Sequence, residues 1–106
     1  METIIIALKE ELIEAKKLVK KYADELAKLP KGTFFIRKLG QNQYGYITRS
    51  ERGQIKQEYL GLIKDDELAS VKEKFKRQKK LKALLKQTKI QLAFLQKALR
   101  HANKES

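Results

Sequence analysis

The chain has no cysteine and no tryptophan, and only one histidine, one proline and one methionine. Lack of cysteine excludes disulfides and thiolate metal sites, and suits a reducing compartment. With His101 as the sole histidine, a metal centre would have to be assembled from carboxylates. Long hydrophobic runs are missing too. The longest, Ile4-Ile5-Ile6-Ala7-Leu8, is far too short to span a bilayer. Lys9, Glu10 and Glu11 follow it directly, whereas a secretory signal places positive charge before its apolar run and a small-residue cleavage site after it. A cytoplasmic protein with no membrane partner is expected. Acidic residues are the last scarcity: 13 Asp and Glu face 25 Lys and Arg, a formal net charge of +12. Such an excess points to a polyanion, an acidic protein or an anionic surface as partner.

At 106 residues there is room for a single domain, 1–106, with a modest core. Three segments differ in pattern. Over 3–29 the apolar positions Ile5, Leu8, Leu12, Ala15, Val19, Tyr22, Leu26 and Leu29 advance by alternating steps of three and four, one stripe of a helix. Pro30 and Gly32 end it. Residues 33–60 carry strand and turn signals. Thr33–Leu39, Tyr44–Arg49 and Ile55–Leu60 read as three strands, separated by reversals around Gly40–Gln43 and Ser50–Gln54, hence an antiparallel meander. From 65 to 102 the helical period returns, with Asp65 or Asp66 as cap and an acidic first turn.

In that last segment Leu68, Val71 and Phe75 form an early stripe, and Leu81, Leu84, Leu85, Leu92, Leu95, Leu99 and Ala102 a later one about 120° around. Two solutions fit: a continuous helix with two neighbours, the sheet early and the first helix late, or a break near 78–80. The expected fold class is α+β, helix–meander–helix. The helices pair through Leu12, Val19 and Leu26 against Leu85, Leu92 and Leu99. Ile90 and Phe94 lie off the stripe, leaving apolar surface for a homodimer.

Strand alternation groups Tyr44, Tyr46 and Thr48 opposite Gly45, Ile47 and Arg49. On the first strand Phe34, Ile36 and Lys38 oppose Phe35, Arg37 and Leu39; on the third, Ile55, Gln57 and Tyr59 oppose Lys56, Glu58 and Leu60. Neither parity is wholly apolar. We expect Ile36 and Ile47 to face the helices, with Arg37, Arg49, Lys56 and some tyrosines accessible. The tyrosines fit cross-strand packing or stacking on bases.

No enzymatic or cofactor motif stands out. Asp65-Asp66-Glu67 is explained by capping, Ser50 and Ser70 lack a nearby histidine base, and no Gly-rich phosphate loop or paired-carboxylate motif occurs. His101 reads as a last-turn residue that favours the helix dipole. A non-enzyme without metal or cofactor is expected.

Charge is the stronger signal. Residues 2–31 are nearly balanced, whereas Lys72, Lys74, Lys76, Arg77, Lys79, Lys80, Lys82, Lys86 and Lys89 crowd into eighteen residues against Glu73 alone. Like charges this dense repel on a helix, and solubility does not require them. The expected nucleic-acid contacts on the last helix are Lys72, Lys76, Arg77, Lys79, Lys80, Lys82, Lys86 and Lys89.

The run from Tyr44 through Gly61, YGYITRSERGQIKQEYLG, resembles a segment of bacterial mobile-element proteins. There an aromatic-rich strand, a Gly-containing turn and a basic strand ending Tyr-Leu-Gly belong to a small antiparallel sheet. It is similar to the N-terminal sheet of some transposases, and Leu29-Pro30-Lys31-Gly32 is similar to the opening run of small proteins of that kind. The likeness covers about thirty residues and implies DNA contact by Arg37, Lys38, Arg49, Arg52 and Lys56. No nuclease or recombinase core accompanies it, so strand cutting does not carry over. The leading expectation is nucleic-acid binding, DNA ahead of RNA. Its rivals are a phage or plasmid accessory protein that binds an acidic host protein, and a structural coiled-coil assembly.

Overall fold

The computed structural model describes residues 2–105. Helix α1 spans Glu2–Ala27, strands β1, β2 and β3 span Thr33–Leu39, Asn42–Glu51 and Gln54–Leu62, and helix α2 spans Asp65–Glu105. The expected α+β order is therefore the observed one. The sheet is an antiparallel meander in the order β1-β2-β3. One expectation is overturned. The N-terminal element is a helix and the sheet begins only at Thr33, so the likeness to the N-terminal sheet of transposases does not hold.

The chain divides into two compact units, one of residues 1–28 with 80–106 and one of residues 29–79. In the helical unit, α1 packs with the later part of α2. Burial on α1 falls on Ile5, Leu8, Leu12, Ala15, Val19, Tyr22 and Leu26, the stripe that the spacing specifies. On α2 it falls on Leu81, Leu84, Leu85, Thr88, Leu92, Leu95, Leu99 and Ala102. The Thr88 hydroxyl is buried without loss, because it donates to the carbonyl of Leu84, one turn back, at 2.7 Å.

No break occurs near 78–80; α2 runs unbroken. Gln78 joins the two apolar stripes, and Thr88 fills a gap within the later one. Both are buried, and they fill the gaps in a single series: 68, 71, 75, 78, 81, 85, 88, 92, 95, 99, 102. Its one irregularity is a double step of three across 75, 78 and 81, a stammer that swings the stripe around the helix.

In the sheet unit, Gln78 meets the connector that follows α1. Its Nε2 donates to the carbonyl of Pro30 at 2.6 Å and to that of Gly32 at 3.2 Å. Phe75, one turn earlier, stacks on Phe34 of β1, with ring centroids 5.4 Å apart and planes 20° apart. Ile47 and Ile63 are buried, and Ile36 is half-buried. As expected, then, Ile36 and Ile47 share the inward face. Gly45 makes that packing possible. A Cβ there would overlap the side chain of Ile63 and come within 3.2 Å of Phe34.

Both hairpins are tighter than the sequence suggests. Leu39 pairs with Asn42 and Glu51 with Gln54, leaving two-residue loops. Arg52 and Gly53 have φ of 51° and 79°, as in a type I′ turn. A register shift between Gly45 and Tyr46 leaves Leu60 as the extra residue of a bulge in β3, next to Gly61 at φ 89°. Past it, Leu62 pairs with Tyr44 on the same face as Tyr59.

Two outcomes follow in urea denaturation. Gln78→Leu should lower stability by about 1–3 kcal/mol by removing the donor to two carbonyls, and Gln78→Glu should lower it further by pointing a carboxylate at them. Gly45→Ala should destabilise by about 1–3 kcal/mol through overpacking against Ile63. A wild-type midpoint in Gln78→Glu or Gly45→Ala would contradict the respective packing.

Candidate nucleic-acid interface

The lysines of α2 keep a fixed phase to its buried stripe. Val71, Phe75, Gln78, Leu81, Leu85 and Thr88 face inward, and the next residue in each case is a lysine: Lys72, Lys76, Lys79, Lys82, Lys86 and Lys89. One residue is a rotation of about 100°, so each of the six stands beside the stripe, close to one per turn, Lys72, Lys76 and Lys79 along its early part and Lys82, Lys86 and Lys89 along its later part. All six are exposed, and none of their side chains makes an ion pair or hydrogen bond among the described residues. Lys72, Lys76 and Lys79 belong to the sheet unit, Lys82, Lys86 and Lys89 to the helical unit. Lys74 and Arg77 precede Phe75 and Gln78 and lie across the stripe, whereas Lys80, four residues past Lys76, stays beside it on the helix surface. Of the helix residues expected from the sequence, Arg77 thus stands apart from the six, and Lys80 lies beside Lys76.

The five sheet candidates are divided more sharply. Arg49 Nη2 lies 2.8 Å from Glu58 and Lys56 Nζ 3.1 Å from Glu51. All four of these residues, with Lys38, share the parity of Phe34 and Ile47. Arg49 is half-buried, and its Nε is buried without a partner. Arg52 sits in the β2–β3 turn. Only Arg37 lies on the other face, where its guanidinium carbon stands 5.7 Å from the centre of the Tyr46 ring, within cation–π range.

That other face carries aromatic rings that the charge count does not register. Phe35, Tyr46 and Tyr59 are in register across β1, β2 and β3. Phe35 and Tyr46 stack at 5.3 Å, and Tyr46 and Tyr59 lie 5.3 Å apart, tilted by 46°. Tyr44 flanks Tyr59 at 6.3 Å. Tyr59 remains 58% exposed and Phe35 36%. Two signals in the sequence could have found this face. A glycine between two tyrosines marks the side where something must approach closely, and Glu51 and Glu58 both alternate onto that same inward side.

Gln43, expected in the reversal after the first strand, belongs to β2 and donates through Nε2 to Asp65 Oδ1 at 2.6 Å. Asp65 is thereby engaged by the sheet as well as opening α2. His101 is exposed, beside Lys97, Arg100 and Lys104 around a shallow cavity of about 210 Å³. Among the described residues no group of three His, Asp or Glu could hold a metal ion, and no helix is long and apolar enough to cross a membrane. No protein-family model, curated protein or solved structure matches this chain.

Arg52 adopts a positive φ that asparagine tolerates better than arginine, and it has no partner among the described residues. Arg52→Asn should therefore raise stability by about 0.5–1 kcal/mol in thermal melts. A loss of stability would mean that the arginine side chain holds the turn.

Proposed function

We propose that this chain is a non-catalytic nucleic-acid-binding protein, DNA ahead of RNA, that tracks phosphates with the lysine flank of α2. The observation that carries the reading is the set of six lysines, each one residue beyond a buried position and each without a carboxylate partner among the described residues. Apolar burial fixes the rotation of α2, so the same packing that folds the helix aims these lysines away from the core. Uncompensated charges beside the buried stripe repel each other in the free protein. A phosphate backbone relieves that repulsion and releases its counterions. The net charge of +12 works in the same direction at long range and speeds encounter with a polyanion.

Fluorescence-polarisation titration of labelled duplex DNA across a salt series tests the reading. Each phosphate neutralised contributes about 0.9 to the slope of log affinity against log salt. Lys76→Gln, Lys79→Gln and Lys82→Gln combined should reduce that slope by about 2–3, with the circular dichroism spectrum unchanged. The same charge removed from α1 as Lys9→Gln, Lys16→Gln and Lys20→Gln should leave the slope within about 1 of wild type. Equal effects of the two triple variants would mean that net charge alone draws the protein to DNA. Binding confined to low salt would favour an acidic protein as the partner.

A further inference from the structure

We propose that the outward face of the sheet is a second, chemically distinct contact surface that takes a single strand of nucleic acid, with unpaired bases stacking on its aromatic rings. The inference rests on the nucleic-acid reading above but on different residues. By strand register this face is the one that carries Phe35 and Arg37 of β1, Tyr44 and Tyr46 of β2, and Tyr59 of β3, with their neighbours of the same parity. No carboxylate is among them. Both acidic residues of the strands, Glu51 and Glu58, alternate to the opposite side and are held there by Lys56 and Arg49. The face therefore combines aromatic rings, hydroxyl and amide groups and one cation, with nothing to repel a phosphate.

The arrangement of the rings selects unpaired bases. Phe35, Tyr46 and Tyr59 form a row across the three strands, and β1 and β3 are the two edges of the sheet. Tyr46 in the middle is covered on both sides by neighbouring rings and approached by Arg37. Among the rings Phe35 stacks on Tyr46, and Tyr59 is inclined to Tyr46 by 46° and flanked by Tyr44 at 6.3 Å, yet Phe35 stays 36% and Tyr59 58% exposed. The two ends of the row thus keep ring surface free for a further aromatic partner. A base can use that surface only when it is not already stacked within a duplex. Arg37, placed over the row, is positioned to pair with a phosphate of the same strand.

A second copy of the chain is the competing occupant, since Leu39, Ile55 and Leu62 on this face are also exposed. Charge decides against it. This face carries Arg37 and no acid, so two such faces would meet with like charges and no carboxylate to pair with them.

Intrinsic fluorescence gives a direct readout. The chain has no tryptophan and four tyrosines, three of them on this face, and Tyr22→Phe removes the fourth. Tyr22→Phe protein is titrated with oligo-dT, oligo-dU, oligo-U and a duplex of equal length. Single strands should quench the tyrosine emission strongly and duplex weakly; oligo-dU against oligo-U, which share a base, decides the sugar. Phe35→Ala and Tyr59→Ala should each weaken single-strand binding roughly 5- to 150-fold, with duplex affinity moving less than twofold. Tyr59→Phe, which keeps the ring, should restore single-strand binding. Single-strand binding without quenching, unaltered by Phe35→Ala and Tyr59→Ala, would overturn the stacking surface and leave the lysine reading standing. Binding of neither single strand nor duplex near physiological salt would overturn both. A dimer in sedimentation that Tyr59→Ala dissociates, with single-strand affinity unchanged, would assign the face to a second copy instead.

Discussion

One side-chain amide, that of Gln78, carries more of this architecture than any apolar contact near it. It lies buried in the middle of the long α2 stripe, where a hydrocarbon side chain would ordinarily stand, and both of its N–H groups are used on the carbonyls of Pro30 and Gly32. Those carbonyls belong to the short connector between α1 and β1, which has no strand or helix ladder to satisfy them. A buried amide without partners would be costly, so the pairing is specific in a way that Leu on Leu is not. It fixes the point at which the chain enters the sheet. The stripe also changes phase there, with successive steps of three on either side of Gln78.

The phase of that stripe has consequences on the outside of the helix. A residue one position beyond a buried one is turned by about 100°, out of the core yet beside it. Lys72, Lys76, Lys79, Lys82, Lys86 and Lys89 all hold that position, so the stammer that shifts the buried stripe shifts the lysine flank with it. Core packing and charge display are one geometric fact seen from two sides. Every lysine could stay exposed elsewhere on the helix; what the spacing adds is that each stands directly beside the buried stripe.

The sheet separates chemistry by the same logic at a period of two. Gly45, lacking a side chain, lets Ile63 and Phe34 close over it, which fixes that side as the inward one. Everything else on the parity follows: Ile47 buried, Arg49 and Lys56 paired with Glu58 and Glu51, and the tyrosines turned outward. Exposed ion pairs of this kind contribute little to stability, typically below about 1 kcal/mol each. Their effect here is one of placement, because they keep the strand acids off the aromatic face.

By itself the sequence determined the three segments, the α1 stripe, the meander and the crowding of positive charge. Each of these is a local periodicity or a count, and apolar residues at steps of three and four, or at two, suffice to express it. Continuity of α2 was hidden, since Gln78 and Thr88 are polar by type and enter the core only because particular carbonyls, those of Pro30, Gly32 and Leu84, accept their protons. The face of the sheet was hidden for a related reason. Both parities mix apolar and charged residues, and only the approach of Phe75 to Phe34 and of Ile63 to Gly45 decides between them. The likeness of 44–61 to a transposase N-terminal sheet failed because a strand-and-turn pattern of that length says nothing about what precedes it, and here a helix of 26 residues does. Tertiary structure alone decided which tyrosines remain reachable and which arginine joins them, because each depends on a neighbour distant in sequence.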